Sequence, residues 1–112
     1  IMKENGITNP ARVGIYGLTY KENVDDVRES PTLQLLEHMA THLAAPLKVY
    51  DPWVKEKIVE SQILDFDSFL KDIDLIVIMV GHTHIKENLN RIKDKVVFDT
   101  RNICDFPKVY HL

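Results

Sequence analysis

A single cysteine, Cys104, stands in 112 residues, so no disulfide can form within the chain. No apolar run approaches the roughly 18 residues of a membrane-spanning helix, and the start shows no signal-peptide pattern. Together these absences predict a reducing, cytoplasmic setting without a membrane partner. Basic charge is scarce too: 14 Lys and Arg stand against 17 Asp and Glu, with no basic stripe. That removes the footprint of a nucleic-acid binder, while single cations can still meet a small phosphate. A dinucleotide fingerprint is also missing, because Gly14 and Gly17 do not make Gly-x-Gly-x-x-Gly. Asp51 lies 34 residues after Gly17, whereas the ribose-holding acid of such folds is expected about 20 residues after the glycines. NAD binding by this chain alone is therefore disfavoured.

The residues that are present alternate by period. Val13, Ile15 and Tyr16 read as a short buried strand, and Ser30-Pro31 as the N-cap and first residue of a helix. Leu33, Leu36, Met39, Ala40 and Leu43 give that helix an apolar stripe, ended by Pro46. Leu47 to Tyr50 is a second strand closed by Asp51-Pro52, and Val54 and Ile58, one turn apart, predict a brief helix. Phe66, Phe69 and Leu70 predict a helical turn started by Asp65 or Asp67. The uninterrupted run Leu75 to Val80 is what a central parallel strand buried on both faces requires, and Gly81 ends it. Ile85, Leu89 and Ile92 recur at helical spacing, and Val96 to Phe98 is a last strand. The order βαβ(α)βαβ predicts an α/β fold: an open, mostly parallel sheet with helices on both faces, a Rossmann-like three-layer αβα arrangement. One domain over residues 1–112 is expected. Because the chain starts at Ile1 and Met2 to Gly6 read as a fraying helix end, it is expected to be cut from a longer one.

In open α/β sheets ligands gather beyond the carboxyl ends of the strands, where this chain carries Lys21, Asp51, Gly81-His82 and Asp99-Thr-Arg101. The connection from Gly17 to Pro31 holds Lys21 and Arg28 and runs into a helix N-terminus, a combination suited to phosphate or carboxylate.

Gly17-Leu-Thr-Tyr-Lys21, Asp25-Asp26, Arg28-Glu-Ser-Pro31, Val49-Tyr-Asp-Pro52 and Asp99-Thr-Arg101 together resemble the C-terminal, UDP-sugar-binding domain of the UDP-glucose/GDP-mannose dehydrogenase family. The resemblance spans nearly the whole chain. It implies part of an NAD-dependent enzyme that oxidises the C6 hydroxyl of a nucleotide-diphosphate sugar to a carboxylate, in two hydride transfers. It further implies an N-terminal domain for NAD and a central helix as partners outside this chain, and a homodimer or higher homo-oligomer for the whole enzyme. Asp-Thr-Arg-Asn at 99–102 and Met79-Val-Gly-His82 resemble the bacterial branch that acts on UDP-N-acetylmannosamine for surface polysaccharide synthesis. Thr100 stands where the family usually has glycine.

Carried over by position, the resemblance assigns Tyr20, Lys21 and Arg101 to the substrate, with lysine as a point charge and arginine as a two-point fork. It turns Arg28 toward the NAD of the other domain. No catalytic residue and no metal ligand is assigned within this chain, which alone is expected to be inactive. Each assignment has a structural rival: Lys21 as a solvated loop residue, and Arg28 as a partner of Asp25, Asp26 or Glu29. Asp25-Asp26 reads as loop structure, because adjacent carboxylates point apart. His82-Thr-His84 has no cysteine or carboxylate at metal-ligand spacing and reads as a helix-entry loop. Cys104 lies outside the family's Cys-Phe-Pro-Lys-Asp type of motif and reads as a small packed residue. The alternatives are a UDP-glucose 6-dehydrogenase domain, a non-catalytic nucleotide-binding or interaction module, and a response-regulator-like domain. The last would need an aspartate where Gly81 stands.

Overall fold

A computed structural model describes residues 12–19, 21–28, 30–39, 47–104 and 109–111. Five strands form one sheet: β1 (Val13–Tyr16), β2 (Lys48–Tyr50), β3 (Leu75–Ile78), β4 (Val96–Asp99) and β5 (Val109–His111). Their order is β2-β1-β3-β4-β5, and every pair is parallel. The helices are α1 (Pro31–Met39), α2 (Phe66–Lys71) and α3 (Thr83–Lys86), with a 3-10 turn at Leu89–Arg91. Parallel neighbours need crossovers, so all the loops that follow strands open at one end of the sheet.

Side-chain alternation along the strands splits the core in two. Val13, Ile15, Val49 and Leu75 pack on one face with Leu33, Leu35 and Leu36 of α1. Tyr16, Tyr50, Ile76, Ile78 and Val97 pack on the other with Phe66, Phe69, Leu70, Ile85 and Ile92. Helices thus cover both faces, the three-layer arrangement expected. Gly14 is the point of closest approach, since a Cβ there would lie 2.6 Å from the Phe69 ring. Helix α2 can sit on β1 only because that residue has no side chain.

Three expectations change. The helix over Val54 and Ile58 is absent: Val54 is buried, but Ile58 is exposed. Gln62 explains the difference, because its side-chain oxygen accepts the N–H groups of Ile58 and Val59 and its amide donates to the Glu56 carbonyl. The backbone is satisfied without helical bonds. Segment 61–63 then runs alongside β2, with Val49 N–H donating to Ser61 and Ile63 N–H donating to Val49. Second, a fifth strand, Val109–His111, extends the sheet beyond β4. Third, the helical spacing of Ile85, Leu89 and Ile92 is realised as two separate turns. Asp65, not Asp67, caps α2, its carboxylate accepting the Ser68 N–H at 3.1 Å. Ala40, Leu43, Pro46, Glu29 and Met2 to Gly6 lie outside the described residues. Among the described residues no helix is long and apolar enough to cross a membrane.

Candidate functional site

At the strand ends, the connection after β1 begins with Gly17 at φ 108°. Its N–H donates to the Tyr50 carbonyl at 2.8 Å, and its carbonyl accepts the buried Thr32 hydroxyl at 2.7 Å. One residue therefore ties β1, β2 and α1 together. Ser30 caps α1 through its hydroxyl, which accepts the Leu33 N–H.

Asp51, at the end of β2, is 2% exposed. Its Oδ2 accepts the N–H groups of Leu18 (2.7 Å) and Thr19 (3.2 Å), and its Oδ1 accepts that of Trp53 (2.8 Å). His82 Nε2 lies 3.0 Å from Oδ2. On the far side of the ring, Nδ1 faces the Asn23 N–H at 2.8 Å and must accept it, so Nε2 carries the proton and donates to Asp51. Burial pushes the Asp51 carboxyl up, but the His82 bond and the Leu18 and Trp53 N–H groups outweigh it and hold the group below its ordinary range. Both oxygens of this buried carboxylate are thus engaged inside the fold.

Asn23 sits in the left-handed region at φ 59° and faces Thr83 reciprocally. Its amide donates to the Thr83 hydroxyl, and its side-chain oxygen accepts the Thr83 N–H, each at 2.9 Å. The connection after β1 is thereby stitched to the turn after β3. Lifting Asn23 away from the turn after β3 would have to break these bonds.

At the end of β4, buried Asp99 collects the N–H groups of Arg101 (2.9 Å), Ile103 (2.6 Å) and Cys104 (2.8 Å). Thr100 donates its hydroxyl to the Ile78 carbonyl, a bond that glycine could not make. The Arg101 Nε donates to the Met79 carbonyl at 2.9 Å, which fixes the plane of an exposed guanidinium.

Lys21 and Arg101 accordingly rise from the same end of the sheet, after β1 and β4, with the turn after β3 between them. Lys21 is exposed, and among the described residues its ammonium makes no hydrogen bond or ion pair. Tyr20 lies outside the described residues. Arg28 forks onto Asp26, with Nε to Oδ1 at 3.0 Å and Nη2 to Oδ2 at 2.9 Å, while its side chain stays 87% exposed. This resolves its structural partner, and the fork pulls Asp26 down to about 2. Cys104 is 5% exposed, packed into the core.

The two histidines after β3 serve different surroundings. His84 lies parallel to Tyr16 (centroids 6.0 Å, 11°) and edge-on to Phe66 (4.7 Å). The Tyr16 hydroxyl and His84 Nδ1 share a hydrogen bond of 2.8 Å. Burial holds the His84 imidazolium below its ordinary 6.5, helped by the charges of Lys55 and Arg91 and opposed by Glu87. Burial likewise raises both tyrosines, Tyr50 up to about 12. A depressed histidine favours the folded state while neutral, so its contribution is full above pH 6.5 and is lost as pH falls through 6.5 toward the folded-state value. Melting curves over this interval should therefore show stability falling on acidification, and less steeply in His84→Gln. Equal slopes in the two proteins would refute the assignment.

Residues 14–106 match the UDP binding domain of the UDP-glucose/GDP-mannose dehydrogenase family. The chain belongs to that family. It is 32% identical over 108 residues to a UDP-N-acetyl-D-mannosamine dehydrogenase of Methanococcus aeolicus, covering 89% of this chain and 24% of that protein. A solved UDP-N-acetyl-mannosamine dehydrogenase, Cap5O of Staphylococcus aureus, superposes with TM-score 0.73 at 30% identity, over 96% of this chain and 27% of that one. The fold is shared with the UDP-D-ManNAc dehydrogenase of Pyrococcus horikoshii, at TM-score 0.75 and 24% identity over 98% of this chain and 27% of that one. The chain thus spans about a quarter of the length of the relatives it matches. Those relatives are dehydrogenases, so the family is enzymatic.

The sequence reading missed the roles of Asn23, His82, Thr83 and Gln62. Asn23 alone carried a local signal, as a residue type that tolerates positive φ.

Proposed function

We propose that this chain, as a single domain, is the nucleotide-sugar-binding part of an NAD-dependent UDP-sugar 6-dehydrogenase, acting on UDP-N-acetylmannosamine. The observation that carries the reading is the shared rim: the ammonium of Lys21, without a hydrogen bond or ion pair among the described residues, and an oriented guanidinium on Arg101 stand at the carboxyl ends of β1 and β4, two parallel strands on either side of β3. A diphosphate-linked sugar supplies anionic oxygens to both, the lysine as a point charge and the arginine through the N–H groups that Met79 leaves free. Tyr20 is assigned beside Lys21. The names of the relatives support the choice of sugar.

The contribution of this chain is orientation: contacts to the nonreacting nucleotide hold C6 where chemistry occurs on other parts of the enzyme. NAD held on those other parts would supply the hydride acceptor. The carboxylate of Asp51 is engaged inside the fold, and Arg28, turned to solvent, is the residue assigned to meet the cofactor. No catalytic group is assigned to this chain, and alone it should be inactive. The whole enzyme is assigned a cytoplasmic location, a homo-oligomeric state and a place in polysaccharide synthesis.

Titrating the chain with UDP, UDP-N-acetylmannosamine, UDP-glucose and NAD, followed by NMR, tests the reading. UDP and its sugars should shift Lys21 and Arg101 resonances, and NAD should not. Losing a charge-assisted bond costs about 1.5–3 kcal/mol, so Arg101→Ala should weaken UDP binding roughly tenfold or more. In the complete enzyme the same change should raise KM strongly. Equal UDP affinity with and without Arg101 would sink the assignment.

A further inference from the structure

We propose, resting on the reading of Lys21 and Arg101 as ligand contacts, that the turn after β3 sets the working position of Lys21: His82 and Thr83 are positioning residues that act through Asn23. A lysine stem is flexible, so where its ammonium can reach depends on where its backbone is held. The Lys21 carbonyl accepts the Thr19 hydroxyl at 2.9 Å, and the Leu18 and Thr19 N–H groups end on Asp51. On the other flank of Lys21, the Asn23 N–H ends on His82 and the Asn23 amide is matched to Thr83.

The imidazole has a chemical reason to be there. His82 is completely buried, a place where an apolar residue would avoid the cost of desolvating two nitrogens. Instead one nitrogen holds Asp51 after β2 and the other holds Asn23 after β1, so the ring fixes a register between two connections. The residue before it faces the second cation. A Cβ on Gly81 would lie 3.7 Å from the Arg101 Cβ and 3.6 Å from Ile103, ordinary contact distances. Consecutive residues of one turn therefore meet both arms of the rim. The separation of Lys21 from Arg101, which decides whether one diphosphate-linked ligand can bridge them, is referred to that turn.

The test is a set of double-mutant cycles on UDP affinity, read by NMR titration of the chain. In the unaltered background both Lys21→Ala and Arg101→Ala should weaken binding. In a His82→Leu background the further loss from Lys21→Ala should shrink to less than about twofold, because the ammonium is already misplaced, while Arg101→Ala keeps its full cost. His82→Gln, whose amide offers one acceptor and one donor, should restore much of the Lys21 effect. A merely structural histidine would lower stability and leave both factors as they were, and that result overturns the proposal. If His82→Leu does not fold, Asn23→Gly decides. It keeps the positive φ and the N–H to His82 while removing both bonds to Thr83, and an undiminished Lys21 factor there is equally fatal. A silent Lys21→Ala in the unaltered chain would instead refute the ligand role of Lys21 itself, and this proposal with it.

Discussion

Gly17→Ala should lower the melting temperature of the chain by roughly 10–20 °C, the equivalent of about 3 kcal/mol in a protein of this size. Two separate costs add. An L-residue at φ 108° is strained wherever it stands, and the new methyl would lie 2.7 Å from the Val80 Cβ and 2.8 Å from the Val80 backbone nitrogen. Shortening the Val80 side chain can remove only the further contact with its Cγ2, also 2.7 Å, and leaves the Cβ, the backbone nitrogen and the strained φ in place. Adding Val80→Ala should therefore recover only part of the loss. A melting temperature for Gly17→Ala within a few degrees of the unaltered protein would show that the connection after β1 is not held as described.

Asp51→Ala should cost about 3–5 kcal/mol, the range for breaking one member of a buried charged or hydrogen-bonded pair. It strands the N–H groups of Leu18, Thr19 and Trp53 and the Nε2–H of His82 in a buried place. Asp51→Asn should fall between, since its amide oxygen can take the Oδ2 position, which faces three of the four donors, while its NH2 opposes the Trp53 N–H. Hydrogen exchange separates this from general loosening: the Leu18 and Thr19 amides should lose protection before those of β3 and β4. Full protection of both amides in Asp51→Ala would contradict the central role of this carboxylate.

The parts of the fold that local physics decides were legible in the sequence. The Ser30-Pro31 start of α1, the buried run at Leu75 and the helical turn at Phe66 to Leu70 each depend on residues within a turn of one another. What escaped depends on long-range partners. Val54 and Ile58 have helical spacing, yet Gln62 claims the intervening backbone. Val109 to His111 is too short to declare itself and is a strand through its pairing with β4. His82 reads locally as the residue before a helix, which it is, but its partners Asp51, Asn23 and Thr19 lie 31, 59 and 63 residues away. Of the candidate site, sequence reasoning named the exposed cations and not the buried residues that hold their backbone, because a motif resemblance points to what touches a ligand.

The strip of chain that Gln62 gathers beside β2 has a consequence for association. In the three-residue strand, Val49 is the residue whose N–H and carbonyl face away from β1, and both are already spent on Ser61 and Ile63. An incoming strand from another molecule would find the outward groups of Val49 already taken, so pairing onto β2 itself would first have to displace segment 61–63.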